Sequence, residues 1–371
     1  MKLLIQPGDG VTPLVKAIND ANKSVDVLIF RFDRVEVENA LVKAVARGVA
    51  VRALIAYTNR GGEKSLRALE MRLLAAGVTV ARTADDLVRY HGKMMIVDGQ
   101  DLHLMAFNFT NLDIERSRSF SVVTEDEALV QEAARLFDAD SKRLPYAAGM
   151  DGFVVSPVNS RKVLTEFIKG AKKDLLIYDP AVTDPAIARV LQERGKAGVQ
   201  IRVLGQLSRK VKGAEAHPLY IRLHTRTIVR DREEVFVGSQ SLRALELDAR
   251  REIGLIVKEP KIAARVVQVF EDDWEHSRHL TESKGKTKDE AVTGEPPPVR
   301  KVAKKVAKTF AKALPPVAPV LEVVVRELAG PGTDVDVDSK ALEETVKDAV
   351  KSAIQEVVAS AVEQAATRAT E

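Results

Sequence analysis

Three observations predict an α/β fold of two tandem repeats, each a sheet flanked by helices, packed about a pseudo-two-fold axis. First, one short pattern occurs twice: His, any residue, a cation, four residues, then Asp. The copies are His91-Gly92-Lys93-Met94-Met95-Ile96-Val97-Asp98 and His224-Thr225-Arg226-Thr227-Ile228-Val229-Arg230-Asp231. Second, short apolar runs of sheet-core type alternate with helix-like stretches. Third, the order of those runs in the first half recurs in the second, the signature of an internal duplication.

The elements follow in order. Ile5-Gln6-Pro7 opens one half and Val155-Ser156-Pro157 the other. Each leads into a helix-like stretch, 14–22 and 163–172. The run Val25-Asp26-Val27-Leu28-Ile29-Phe30 then reads as a buried strand, matched by Asp174-Leu175-Leu176-Ile177-Tyr178. A second helix and strand follow, ending at 48–55 and 198–204. Pro7 and Pro157 are 150 residues apart, whereas His91 and His224 are 133 apart. The first half therefore holds one extra element, which periodicity places in a helix over 63–76. The strands 94–97 and 235–237 are short and apolar, as strands covered on both faces tend to be. The duplication ends near Phe270-Glu271-Asp272-Asp273-Trp274, so the expected domains are repeat 1 (1–148), repeat 2 (149–280) and a tail (281–371).

A His can act as nucleophile or general acid, and a Lys or Arg beside it can hold an anion. Two of each, brought together, form a device for cutting a phosphodiester. These paired motifs resemble the phospholipase D superfamily, whose signature is HxKxxxxD in two copies, each with a GSxN loop soon after. The resemblance covers about residues 3–280. Pro7-Gly8-Asp9-Gly10 and the run 25–54 are most similar to bacterial cardiolipin-synthase-like phosphodiesterases. Phe107-Asn108-Phe109-Thr110 is equally similar to the small nucleases of the superfamily.

The chain departs from the pattern at particular positions. The first loop reads Met105-Ala106-Phe107-Asn108, keeping the Asn, and the second reads Gly238-Ser239-Gln240-Ser241, keeping the Gly and Ser. Arg226 stands where the family has Lys. The family's glutamate, 28 residues beyond the His, is present as Glu252, but the matching first-half position is Ser119.

The resemblance implies a two-step displacement at phosphorus through a phosphohistidine. It assigns His91 as nucleophile and His224 as acid and base, with Glu252 orienting one ring. Lys93 and Arg226 would stabilise the phosphoryl oxygens together with Asn108, Ser239 and Ser241. Neither a cofactor nor a metal is implied. Asp98 and Asp231 read as supporting residues that fix loops after their strands. The planar guanidinium of Arg226 is not a Lys point charge, so a degenerate descendant that only binds phosphate stays open beside the enzyme. The substrate expected first is a phospholipid, hydrolysed or used for phosphatidyl transfer; a nuclease is the alternative.

The tail is a different kind of sequence. Lys284 and Lys286 to Gly294-Glu295-Pro296-Pro297-Pro298 have linker composition. In segment 300–312, Arg300, Lys301, Lys304, Lys305, Lys308 and Lys312 are basic and no residue is acidic. At helical spacing its lysines share one face and Val302, Val306 and Phe310 the other, which suits an anionic membrane surface. The stretch 340–370 reads as a long helix whose apolar stripe, from Leu342 and Val346 to Ile354 and Val357, suits self-association. It is too interrupted by charge to span a bilayer. A net charge of +4 with pI near 9.0 fits an anionic partner, nucleic acid included. There are no cysteines, so no disulfide or thiol chemistry. The opening Met1-Lys2-Leu3-Leu4 lacks the long apolar region of a signal peptide. The expected location is therefore cytoplasmic, with peripheral membrane contact.

Overall fold

The structure is a computed structural model that describes residues 1–57, 63–208 and 211–286. The described residues up to 286 fall within one compact unit. The basic segment 300–312 and the long helix over 340–370 lie outside the described residues.

The first repeat runs β1 (Lys2–Gln6), α1 (Thr12–Asp20), β2 (Ser24–Ile29), α2 (Val35–Ala46), β3 (Ala50–Ile55), α3 (Glu63–Ala75) and β4 (Thr79–Arg82). It continues through β5 (Arg89–Tyr90), β6 (Met94–Val97), β7 (Asp101–Met105), α4 (Asn111–Glu115), β8 (Ser117–Thr124) and α5 (Glu127–Lys142). The second runs β9 (Phe153–Val155), α6 (Ser160–Lys169), β10 (Asp174–Val182), α7 (Pro185–Lys196), β11 (Gln200–Leu207), β12 (Ala214–His217) and β13 (Arg222–Leu223). It ends with β14 (Arg226–Arg230), β15 (Glu234–Gly238), α8 (Ala244–Asp248), β16 (Arg250–Arg251), β17 (Ile253–Val257) and α9 (Pro260–Lys286). The extra first-half helix is α3, which joins β3 to β4; the matching strands β11 and β12 are joined without a helix. Helix α9 runs past residue 280, so the expected boundary there cuts through a helix.

Both opening helices differ from their expected bounds for a physical reason. Helix α1 begins earlier because Pro13 suits a first turn, where a missing N–H costs nothing. It stops at Asp20 because the next N–H groups are bound elsewhere: Asn22, Lys23 and Ser24 all donate to the Asp98 carboxylate. Helix α6 stops at Lys169 in the same way, with Lys172, Lys173 and Asp174 donating to Asp231. Those N–H groups are satisfied without further helix.

Each repeat builds a seven-strand sheet of the same order. One reads β1-β8-β7-β6-β2-β3-β4 and the other, from its matching end, β9-β17-β15-β14-β10-β11-β12. The β2-β3-β4 and β10-β11-β12 ends are parallel and the rest antiparallel, so the sheets are mixed. Alternate residues of each strand enter different cores, which explains the unbroken apolar runs. Val27, Ile29, Met95 and Val97 face α1, α2 and α3 on one outer side. Ile177, Ile201, Val203 and Ile228 face α6 and α7 on the other. Leu28, Met94, Ile96 and Phe120 meet Leu176, Tyr178, Val229 and Val237 in a central core that also takes α5 and α9. Across this core the Phe120 and Tyr178 rings stand 5.6 Å apart, edge to face.

The repeats exchange backbone pairings reciprocally. In β13, Arg222 pairs with Ser117 of β8; in β5, Arg89 pairs with Arg250 of β16. His224 N donates to Arg118 O, and His91 N donates to Arg251 O. Arg118 then bonds Asp273, and Arg251 bonds Asp140. The partners on one side are those on the other shifted by 133 positions, the hallmark of a two-fold relation. The strand leading into each histidine is thus held by the opposite repeat.

Candidate active site

His91 and Lys93 lie between β5 and β6, and His224 and Arg226 lie between β13 and the start of β14. Each motif cation turns back on its own histidine. Lys93 Nζ donates to His91 O at 2.5 Å, and the Arg226 guanidinium donates to His224 O. Lys93 Nζ also stands 2.9 Å from His91 Nδ1 and 3.0 Å from Nε2. The His91 ring packs edge to face on Phe30, centroids 4.5 Å apart. Gly92 leaves room for the opposite repeat, because a Cβ there would sit 2.4 Å from Ile253 Cδ1.

The four motif side chains share one electrostatic environment. Burial, then the charges of Lys93, Arg226, Arg250 and Arg89, hold His91 well below the usual imidazole range. Burial lowers His224 too, aided by Arg226, Lys93 and Arg222 and opposed by Asp113. Both rings thus feel both Lys93 and Arg226, which places the two motifs in a single cluster. Burial also brings Lys93 down to about 7, against the pull of Glu252 and Asp113. Arg226 is lowered by burial and keeps its charge in the ordinary range, as guanidinium does.

Glu252 is fully buried, and its carboxylate lies 2.8 Å from His91 Nδ1 in the other repeat. A carboxylate at Nδ1 fixes the proton there and leaves Nε2 without one. Burial raises the Glu252 pKa, countered by Lys93, a Ser239 hydrogen bond, Arg250 and Arg226. His224 is held differently: its Nδ1 donates to Ala106 O at 2.9 Å, and its Nε2 lies 3.3 Å from Asp113 Oδ2.

The remaining expected residues divide by task. Ser239 Oγ accepts from Ile253 N and supports Glu252, so it lies in the cluster. Asn108 and Ser241 occupy equivalent loops, and each side chain donates to a carboxylate. Asn108 Nδ2 donates to Asp113 at 2.6 Å and Ser241 Oγ to Asp179 at 2.7 Å. Both brace the loops; the Ser241 hydroxyl hydrogen is used in doing so, whereas Asn108 Nδ2 keeps a second N–H. Asp98 and Asp231 sit at left-handed turns, φ 55° and 53°, and their carboxylates collect the N–H groups that precede β2 and β10. They hold the strands and stand away from the imidazoles.

Asp113, Arg222, Arg250, Phe30 and Asp179 also shape the site, and sequence reasoning missed them. Arg89 and Arg222 share an offset of 133 and stand two residues before each histidine, a signal the motif spacing contains. Asp113 carries no such signal. Among the described residues no group of three or more His, Asp or Glu is placed to hold a metal ion.

Comparison with known proteins decides the family. A family model described as cardiolipin synthase, PLD-like domain, matches residues 14–141 and 164–274. The chain belongs to the phospholipase D superfamily. Among curated superfamily relatives, a polyphosphate kinase of Pseudomonas syringae is 26% identical over 321 residues, 76% of this chain and 43% of that protein. The chain spans less than half the length of that relative. Among solved structures, polyphosphate kinase from Porphyromonas gingivalis aligns over 73% of this chain and 49% of its own, with TM-score 0.61 and 19% identity. Phosphatidylserine synthase from Haemophilus influenzae aligns over 72% of this chain and 84% of its own, with TM-score 0.56 and 10% identity. At these identities the structural likeness shows the fold alone.

Proposed function

We propose that the protein is a phosphoryl-transfer enzyme that cleaves a phosphodiester through a covalent phosphohistidine, with a phospholipid as its substrate. The observation that carries this reading is the 2.8 Å contact of His91 Nδ1 with Glu252 of the opposite repeat, beside Lys93. It leaves Nε2 of a neutral ring to attack phosphorus. In the first step the Nε2–P bond forms, the P–O bond to the leaving group breaks, and His224 gives its proton to that oxygen. In the second, water or an alcohol attacks phosphorus, His224 takes its proton, and the P–N bond breaks. Lys93 and Arg226 compensate the charge on the non-bridging oxygens as it shifts. The reading requires no metal. It places the enzyme in the cytoplasm, touching membrane peripherally; among the described residues no helix is long and apolar enough to cross one.

A second reading is favoured by one finding: the curated relatives include polyphosphate kinases aligned over most of the chain. There the cleaved bond would be a phosphoanhydride and the chemistry at His91 the same. The test is turnover of a phospholipid panel, inorganic polyphosphate and single-stranded DNA in parallel, with EDTA present and an acid-labile phosphoprotein trapped by quenching. His91→Asn should abolish the trapped species and lower turnover by at least ~10²-fold, the scale of losing a catalytic histidine. Turnover of polyphosphate alone selects the second reading, and of DNA alone the nuclease. Binding of phosphate without turnover or trapping leaves a degenerate scaffold.

A further inference from the structure

The two-fold relation of the repeats is broken at the partner of each histidine. Glu252 reaches from repeat 2 to His91 in repeat 1. The same operation would bring residue 119 of repeat 1 to His224, but that residue is Ser119. It is fully buried, and its Oγ has no hydrogen-bond partner among the described residues. A carboxylate nevertheless stands at His224, supplied from a different position. Asp113 of α4 is almost wholly buried, and its Oδ2 lies 3.3 Å from His224 Nε2. Its repeat-2 counterpart, Glu246, pairs with Arg243 and Arg250.

We propose that Asp113 replaces the missing glutamate as the positioning carboxylate of His224, orienting its ring and stabilising the imidazolium that forms when His224 takes up a proton. This rests on the phosphohistidine reading for its catalytic consequence.

The hydrogen bonds carry the argument. A carbonyl oxygen only accepts, so His224 Nδ1 carries a proton toward Ala106 O. An Nε2 lone pair facing the Asp113 carboxylate would be repelled, whereas an Nε2–H is attracted. Asp113 is in turn held ionised from its other side: Arg222 donates to Oδ1 at 2.6 Å, and Asn108 donates to Oδ2 through both its backbone N–H and its Nδ2. Burial works to raise the Asp113 carboxyl, yet the charges facing it and these bonds bring it down to about 2. Burial is the largest influence on His224 and lowers it, as do Arg226 on β14, Lys93 ahead of β6 and Arg222 on β13; Asp113 on α4 opposes them in favour of the imidazolium. His91 meets its own carboxylate at the other ring nitrogen, with Glu252 2.8 Å from Nδ1. The two rings thus differ in the nitrogen their carboxylate faces, Nδ1 in His91 and Nε2 in His224. At 3.3 Å the Asp113 contact is longer than the 2.7–2.9 Å usual for a charge-assisted bond, so the proton is held without being locked away from a leaving oxygen.

The test compares full-length wild type, Asp113→Asn, Asp113→Glu and Ser119→Glu/Asp113→Asn. Each is assayed on a diester with an alkyl leaving group and on bis(p-nitrophenyl) phosphate, whose leaving group needs no acid. His224 protonation is followed separately by NMR titration of labelled histidine, assigned with His224→Asn. Asp113→Asn should lose at least ~10-fold more turnover on the alkyl diester than on the nitrophenyl one, in keeping with general-acid loss. The His224 titration should move to lower pH. Asp113→Glu, and the double variant with its carboxylate at position 119, should recover part of both effects. Equal losses on the two substrates with an unmoved His224 titration overturn the proposal and reduce Asp113 to a structural residue. If the wild type turns over neither substrate, the functional reading fails, while the titration still decides whether Asp113 stabilises protonated His224.

Discussion

Arg118 on β8 grips Asp273 on α9 with two hydrogen bonds, Nε at 2.7 Å and an Nη at 2.9 Å, and so fastens one repeat to the last helix of the other. The Tyr178 hydroxyl donates to the same carboxylate at 2.7 Å, and Arg118 also reaches Gln6 O. The equivalent contact, Arg251 with Asp140, is a single bond of 3.1 Å. Burial lifts the Asp140 carboxyl to about 6, against the opposing pull of Arg251.

That difference predicts unequal stability effects. Removing one member of a buried pair leaves the other charge uncompensated and costs about 3–5 kcal/mol. Arg118→Ala should reach that range in denaturant unfolding at neutral pH, and Arg251→Ala should fall below it. Equal losses, or a larger one for Arg251→Ala, would show that the bidentate geometry contributes nothing.

Lys93 sets a pH dependence. Its pKa, lowered by burial to about 7, means that the free enzyme loses this cation as pH rises through neutrality. Since kcat/KM reports groups of the free enzyme, it should fall on the alkaline side of about pH 7. A bound phosphate favours the protonated amine, so the matching limb of kcat should lie at higher pH. Lys93→Arg keeps its charge throughout and should remove the limb. A limb that survives in Lys93→Arg belongs to another group.

Arg226 stands where the superfamily has lysine and bonds His224 O as Lys93 bonds His91 O. Arg226→Lys is expected to retain or raise turnover. Arg226→Ala should lower it by ~10²-fold, the scale of losing one preorganised donor to developing charge. Steady-state kinetics on the substrate identified by the panel check this. Two variants indistinguishable from the parent would mean that Arg226 does not meet the phosphate.

The tail makes a separate prediction. A chain ending at residue 288, which keeps α9 whole, should retain activity on a soluble short-chain diester and lose activity on anionic vesicles. Vesicle sedimentation of both chains, with DNA binding at two salt concentrations, separates lipid recruitment from nucleic-acid affinity that falls with salt. Equal vesicle binding and activity would end the recruitment reading. A change of oligomeric state on truncation would instead assign the tail to self-association.

The sequence by itself determined the duplication, the strands and the superfamily. The reason is that these are local or periodic properties. A strand covered on both faces is apolar throughout, as Met94 to Val97 is. The drop from an offset of 150 to 133 placed one extra helix, α3, in the first repeat. His91, Lys93, His224 and Arg226 were legible because a motif repeated at matched spacing leaves a pattern. Only the tertiary structure decided which group each of them meets. Glu252 serves His91, 161 positions away, and Asp113 stands at His224 from 111 positions away in a helix of five residues. Neither pairing has a period or a local spacing, because both arise where two sheets close on a shared core and exchange strands. Asn108 and Ser241 are bonded to Asp113 and Asp179 within their own repeats, contacts outside the repeated motif. Which residue type occupies a position is written in the chain, but which buried donor finds which acceptor is settled by packing, where an unpaired polar group costs more than any single bond gains.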